Sequence, residues 1–225
     1  KLQATLPPKL LPTIPGLSLG SFQRIADGIC GDYYDIIPAR KDRISFVLAD
    51  VAGKGMTSLM VMVMLRAMLR LTVNTTQSAA TILSWANRGI ASETTIDHFA
   101  SVALINYDGE QKKIQIATAG ATPVLLYNAA TGEMEKISQM SEPVGVETKT
   151  EYQDKDFAVE TDDIIITYTD GVIEAPNSRG LQYSKERLLE VIVNNKHLSG
   201  KEIAEHVKTD ILKFTGVDNQ HDDQT

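Results

Sequence analysis

Four aspartates, widely separated along the chain, are of the type and in the settings that chemistry on phosphate requires. Asp32 lies in Cys30-Gly31-Asp32-Tyr33-Tyr34-Asp35 and Asp50 in Ala49-Asp50-Val51-Ala52-Gly53-Lys54-Gly55. Asp170 lies in Tyr168-Thr169-Asp170-Gly171, and Asp222 in His221-Asp222-Asp223-Gln224-Thr225. Each sits in a tight or polar turn, and Asp50 and Asp170 end strongly apolar strand runs. Carboxylates gathered at strand ends, with little His or Cys nearby, form an all-oxygen cage of the kind that Mg²⁺ and Mn²⁺ select. Several unpaired carboxylates held together repel one another unless a cation neutralises them or some take up protons. The pattern points to a two-metal hydrolase acting on phosphate, with activated water as nucleophile.

Taken singly, each aspartate also has a bland reading. Asp50 follows Ile44-Ser45-Phe46-Val47-Leu48-Ala49, apolar enough for a buried central strand. It then enters a Gly-rich turn where the outward-pointing Val51 carbonyl is a second oxygen donor, but a helix-flanking Asp would look the same. Asp170-Gly171 could be a hairpin turn, yet Pro176 and Asn177 stop Val172-Ile173-Glu174-Ala175 from returning as a partner strand. Gly31 lets something approach the backbone beside Asp32. Asp35, three residues on in a strand, faces the other way and reads as structural. Asp222 and Asp223 are adjacent, so at most one points into a given site, and a solvated acidic tail is the plain alternative. The four together are hard to attribute to turn chemistry alone.

Other chemistries fit poorly. A P-loop needs a Gly separated by four residues from its Gly-Lys pair and a Ser or Thr behind it; Gly53-Lys54 has Leu48 and Gly55 in those places. A cysteine phosphatase would place an Arg six residues after its Cys, where this chain has Ile36; Cys30 reads as a small buried filler. His98, His197 and His206 have no metal-ligand spacing with His221, and His197 and His206 fall on polar helix faces. No Gly-x-Ser-x-Gly elbow occurs.

The elements that must carry these residues are readable from periodicity. Ser18–Ile25 alternates like a strand. Tyr33–Pro38 and Ile44–Ala49 read as a strand pair turning through Arg40–Arg43. Met56–Val73 is a long helix, and its Met56, Met60, Met64, Met68 stripe reads as core packing. A second helix spans Ser78–Ser92 behind a Thr75-Thr76-Gln77-Ser78 start signal. Phe99–Tyr107 with Lys112–Ala119, and Val124–Tyr127 with Met134–Ile137, read as hairpins; Lys155–Val159 and Ile164–Tyr168 are further strands. Ser184–Asn195 and Ser199–Phe214 close the chain as helices, the latter opened by a Ser199/Glu202 capping box. Hairpin-linked strands with four helices predict an α+β fold of antiparallel sheets covered by helices.

Composition narrows the partners. A net charge of −7 disfavours nucleic acid. The single Cys30 allows no internal disulfide. No apolar stretch is long enough to insert in a bilayer, since Arg66 and Arg70 interrupt Met56–Val73. These features predict a soluble, cytoplasmic domain. Lys1–Pro15, rich in Pro and Leu, reads as a linker arm from an upstream region. Residues 16–225 read as the domain itself, with its last strand cut short after Asp222-Asp223-Gln224-Thr225.

With these residues in place, the chain resembles the metal-dependent protein phosphatases of type 2C, in their bacterial SpoIIE-type, RsbU-like branch. The resemblance rests on Gly31–Asp35, Ala49–Gly55, Ala119-Gly120 with Pro123, Pro143-Val144-Gly145, Tyr168–Glu174 and Asp222–Thr225, in an order and at separations that suit the family. It implies a four-layer α-β-β-α sandwich, two antiparallel sheets flanked by helix pairs. It implies two Mn²⁺ or Mg²⁺ ions bridged by Asp50, the cage being completed by Asp32, Asp170, Asp222 and the Val51 carbonyl. It implies a protein-serine/threonine phosphatase whose substrate is a phosphorylated STAS-domain anti-sigma-factor antagonist in a partner-switching pathway, docked over a surface that includes Asn87–His98. It further implies an upstream sensor domain, which can tether the protein to a membrane, and a homodimer with the Met-rich helix as switch element. Three departures stand out: Cys30 and Ala121 replace the family's usual Gly and His, and the phosphate-gripping Arg of eukaryotic relatives has no counterpart nearer than Arg24. Two rival readings remain open: a catalytically silent signalling module of the same fold, and a different two-metal phosphohydrolase such as a nucleotide hydrolase or cyclase.

Overall fold

The computed structural model describes residues 8, 10–26, 30–39, 43–53, 55–75, 77–92, 98–216 and 220–225. The Arg40–Asp42 part of the first turn, Lys54, Thr76, Glu93–Asp97 of the expected docking segment and most of the arm's first nine residues lie outside these.

Strands β1 (Asp32–Pro38), β2 (Arg43–Val51), β3 (Ala100–Asp108), β4 (Lys113–Ala119) and β7 (Lys155–Ala158) form one antiparallel sheet in that order. Strands β5 (Val124–Tyr127), β6 (Met134–Lys136) and β8 (Ile164–Thr167) form a second, in the order β6-β5-β8. Helices α1 (Met56–Thr72) and α2 (Ala79–Ala91) cover the outer face of the first sheet, where Val47, Ala49, Leu104 and Ala117 meet Leu65, Leu69 and Leu83. Helices α4 (Lys185–Asn194) and α5 (Gly200–Thr215) cover the second, where Leu125 and Ile166 meet Leu188, Ile192 and Ile211. Ala103, Ile105 and Ile116 face Val124, Leu126 and Ile165 between the sheets. The four-layer α-β-β-α sandwich is therefore present.

Local chemistry sets the helix starts as expected. The Ser78 hydroxyl accepts from Thr81 N–H, and Ser199 and Glu202 form the reciprocal capping box. The two-residue period of β1 sends Asp35 to the helix face and Asp32 to the opposite one. Asp35 is fully buried and takes both arms of Arg70 at 2.7 Å, plus the Tyr33 hydroxyl at 2.6 Å. Its structural role holds.

Three expectations need correction. Ser18–Ile25 is not a strand; it pairs only through an isolated bridge between Arg24 and Gln224. It is held by the start of α5, by the C-terminal segment and, through side chains only, by the edge strand β1: the Ser18 hydroxyl accepts from Gly200 N–H, Arg24 donates to Gln224, and Gln23 Nε2 donates to the Asp32 carbonyl. The Met stripe does not serve as a core stripe along its whole length. Met56 and Met60 are 66% and 52% exposed, whereas Met64 and Met68 are partly buried against the core. The buried face of α1 is instead Leu59, Met62, Leu65 and Leu69. Finally, Asp32 is not in a turn but opens β1, opposite Asp50 of β2.

Candidate metal centre

The site lies where β1 and β2 meet at one end of the sandwich. Asp32 and Asp50 are register partners, so their Cα atoms face each other across the antiparallel pair. Beyond Asp50 the chain leaves the strand through Val51 and Gly53, the latter at φ 86°, a conformation that glycine adopts without strain. Gly31, just before β1, faces this exit. A Cβ on Gly31 would stand 2.9 Å from the Val51 carbonyl oxygen, 3.6 Å from Asp50 Oδ1 and 3.9 Å from the Gly53 carbonyl oxygen. Three oxygens thus converge on a cradle that only a glycine leaves open.

Asp170 arrives from the second sheet. It is the exposed first residue of the one-turn helix α3 (Asp170–Ile173), directly after β8 and not in a hairpin turn. The C-terminal pair comes in beside it: the Gly171 α-carbon packs against the Asp223 carbonyl, and a Cβ there would lie 3.4 Å from that of Asp222. The structure sorts this pair. Asp223 is buried, and its carboxylate accepts from the N–H groups of Ala26 and Gly31 at 2.8 and 2.7 Å. It ties the loop that carries Gly31. Asp222 is exposed and accepts from Asp223 N–H through Oδ1.

Asp32 is 5% exposed, and its Oδ2 accepts from the hydroxyls of Thr169 and Thr225, each at 2.7 Å. Thr169 N–H donates to the Thr225 carbonyl and Thr225 N–H donates to the Thr169 hydroxyl, which locks the two threonines together. Neither threonine stands out by residue type alone; a hydroxyl one residue before Asp170 and another two after Asp223 are the signals that the sequence offers for them. His98 was set aside for lack of ligand spacing, yet its ring lies against Gly53, with Nε2 2.9 Å from the position of a Cβ there. Arg24 is held by Gln224, at 2.8 Å from Nη1, on the segment that bears Asp222.

The electrostatics follow from this crowding. Burial, above all, pushes the Asp32 carboxyl up to about 7; the neighbouring charges of Asp50 and Asp223 add to that, and the two threonine hydroxyls oppose it. Burial also raises Asp50 to about 6, with the charges of Asp170, Asp222 and Asp223 each contributing. The four aspartates singled out from sequence are therefore brought to one end of the sandwich. Among the described residues, however, no three His, Cys, Asp or Glu side chains stand as a ready-made metal-binding group. Asp32 and Asp223 are turned onto hydroxyl and N–H donors instead. The donor chemistry still fits a hard divalent cation: every group converging on the Gly31 cradle is an oxygen.

This fold recurs in solved structures. The SiaA-PP2C domain of Pseudomonas aeruginosa superimposes with a TM-score of 0.79 at 16% identity, over 90% of this chain and 81% of that one. RsbX in complex with magnesium gives 0.66, also at 16% identity, over 90% and 89%. Among curated relatives, the phosphoserine phosphatase RsbU of Bacillus subtilis is 24% identical over 100% of this chain and 66% of its own length. Protein IcfG of Synechocystis is 22% identical, with 39% of its length covered, so the chain spans only part of each. The family model described as stage II sporulation protein E matches residues 40–225, and the chain belongs to the SpoIIE family.

Proposed function

We propose that this domain is a metal-dependent protein-serine/threonine phosphatase of a partner-switching pathway. Asp50, Asp170, Asp222, Asp32 and the Val51 carbonyl would hold two Mn²⁺ or Mg²⁺ ions. The observation that carries this is the convergence of Val51 and Asp50 oxygens on Gly31, with Asp170 and Asp222 close enough to raise the Asp50 pKa. Paired divalent ions, when bound, make water a nucleophile near neutral pH and offset charge on phosphoryl oxygens. The chain's own part is positional. Asp50 and Val51 are fixed at the end of a nine-residue central strand, Asp170 at the start of α3, and Asp223 pins the Gly31 loop so that the cradle stays open. Thr169 and Thr225 hold Asp32 in one orientation.

RsbU is by name a phosphoserine phosphatase, which supports phosphoserine as the substrate group here. A phosphorylated STAS-domain protein is the proposed substrate, with an upstream sensor region joined through Lys1–Pro15. Pairing of two copies through that upstream region is proposed, with α1, whose Met56 and Met60 are exposed, as the switch element. No helix among the described residues is long and apolar enough to cross a membrane.

The test is phosphate release from a phosphoserine-bearing STAS protein, with and without Mn²⁺, by the parent and by Asp50→Ala. Mn²⁺-dependent release that Asp50→Ala abolishes is the expected result. Binding of the phosphoprotein without turnover of it or of p-nitrophenyl phosphate would make this a silent module. Turnover of nucleotides in preference to phosphoprotein would indicate another two-metal hydrolase.

A further inference from the structure

A second concavity lies along the same end of the first sheet. Asp50 pairs with Ser101 on β3, Ser101 packs against Gly120 after β4, and Gly120 exchanges two backbone hydrogen bonds with Ser141. Ser141 is thus about three strand spacings, roughly 14 Å, from Asp50. There a cavity of about 430 Å³ opens between the Gln139–Ser141 and Glu151–Gln153 segments, with Thr118 on its wall. Tyr152 forms part of that wall. It is 7% exposed, and its hydroxyl is buried with no hydrogen-bond partner among the described residues. The hydroxyl is sealed from solvent behind that wall, so a donor entering the cavity satisfies it only by parting the wall.

The wall chemistry selects that donor. No Lys or Arg lines the cavity, so an anion finds no counter-charge. Glu151 supplies a carboxylate, Gln139 and Gln153 supply amide oxygens, and the charge of Glu142 reaches the Tyr152 phenol. Burial and Glu142 push that phenol up, so it stays neutral. The exposed Met140 thioether offers an apolar rest for an alkyl stem. A planar cation with several N–H donors meets this set of acceptors better than a compact ammonium does.

We propose that this cavity is a docking subsite for an arginine side chain of the polypeptide substrate, about four residues along an extended chain from the phosphorylated serine. The proposal rests on the phosphoprotein reading above. Its test is fluorescence anisotropy with alanine-based peptides carrying a non-hydrolysable phosphonate analogue of phosphoserine and one arginine four residues before or after it, against norleucine counterparts, with Mn²⁺ present. In one register the arginine peptide should bind roughly tenfold tighter. Glu151→Gln, a surface change, and Tyr152→Phe should each shrink that gap while leaving p-nitrophenyl phosphate turnover unchanged. Equal binding of arginine and norleucine peptides in both registers overturns the proposal, as does a gap that neither substitution alters. The small substrate cannot reach the cavity, so the two readings fail separately. Arginine-dependent binding without metal-dependent turnover removes the phosphatase reading and leaves the subsite. Normal turnover without arginine preference removes the subsite alone.

Discussion

At the residue scale, Asp50 is the pivot, because it sits in register with Asp32 and within electrostatic reach of three other carboxylates. Asp50→Ala and Asp170→Ala should each lower metal-dependent phosphate release by roughly 10³-fold while circular dichroism stays native, since several kcal/mol of transition-state stabilisation depend on the ions they would hold. Gly31→Ala should also impair activity, because its methyl group would crowd the Val51 carbonyl. The acid–base balance gives a further prediction. Asp32 and Asp50 titrate higher in the folded chain than in the unfolded one, so the folded state holds their protons more tightly. That contribution is complete below the ordinary carboxylate range and lost as pH rises through about 6 to 7. Chelator-treated protein should therefore melt progressively lower from about pH 5 to 8, and Asp50→Asn should melt about 2–4 °C higher than the parent at the upper end. A rising profile in differential scanning calorimetry would contradict this. The identities of the clustered aspartates were legible in the sequence because Asp32 and Asp170 adjoin a glycine, Asp222 has polar neighbours, and Asp50 ends an apolar run that leads into a Gly-rich turn. Their division of labour was not: Asp222 and Asp223 differ only in which backbone N–H groups lie in reach, a fact fixed by the distant Ala26 and Gly31.

At the scale of elements, the strands and helices that carry the site were mostly readable, because β2, β3 and β4 are long and apolar and the pairs β1–β2 and β3–β4 are joined by short turns. Reading failed where the partner was not another element of the same kind. Ser18–Ile25 alternates but braces a helix start and the C-terminal segment. Methionine spacing on α1 was helical, yet spacing alone cannot say which stripe faces the sheet. The exposed position of Met60 predicts that Met60→Gln shifts stability by no more than about 0.5 kcal/mol, whereas Met62→Ala, at 2% exposure, should cost about 2–5 kcal/mol in urea unfolding. The Asp35–Arg70 pair clamps β1 to α1. Arg70→Ala leaves a buried carboxylate unpaired and should cost about 2–3 kcal/mol, discounted for the exposed arginine; Asp35→Asn in the same chain should recover part of it.

At the scale of the molecule, the sandwich puts both sheets' strand ends at one edge. Residues some 190 positions apart, Gly31 and Asp223, can then share a hydrogen bond. That long-range closure explains why a lone sequence yields the clustered aspartates only as separate weak signals, each with its bland alternative. It also makes the centre sensitive to whatever moves α1, which follows Asp50 after a short Gly-containing loop. Anomalous diffraction from manganese-soaked crystals tests the arrangement at its heart. Two manganese peaks about 3.5–4 Å apart, both bonded to Asp50 and flanked by Asp170 and Asp222, are the expected result. A protein that takes up no manganese there, or holds one ion away from Asp50, would contradict it.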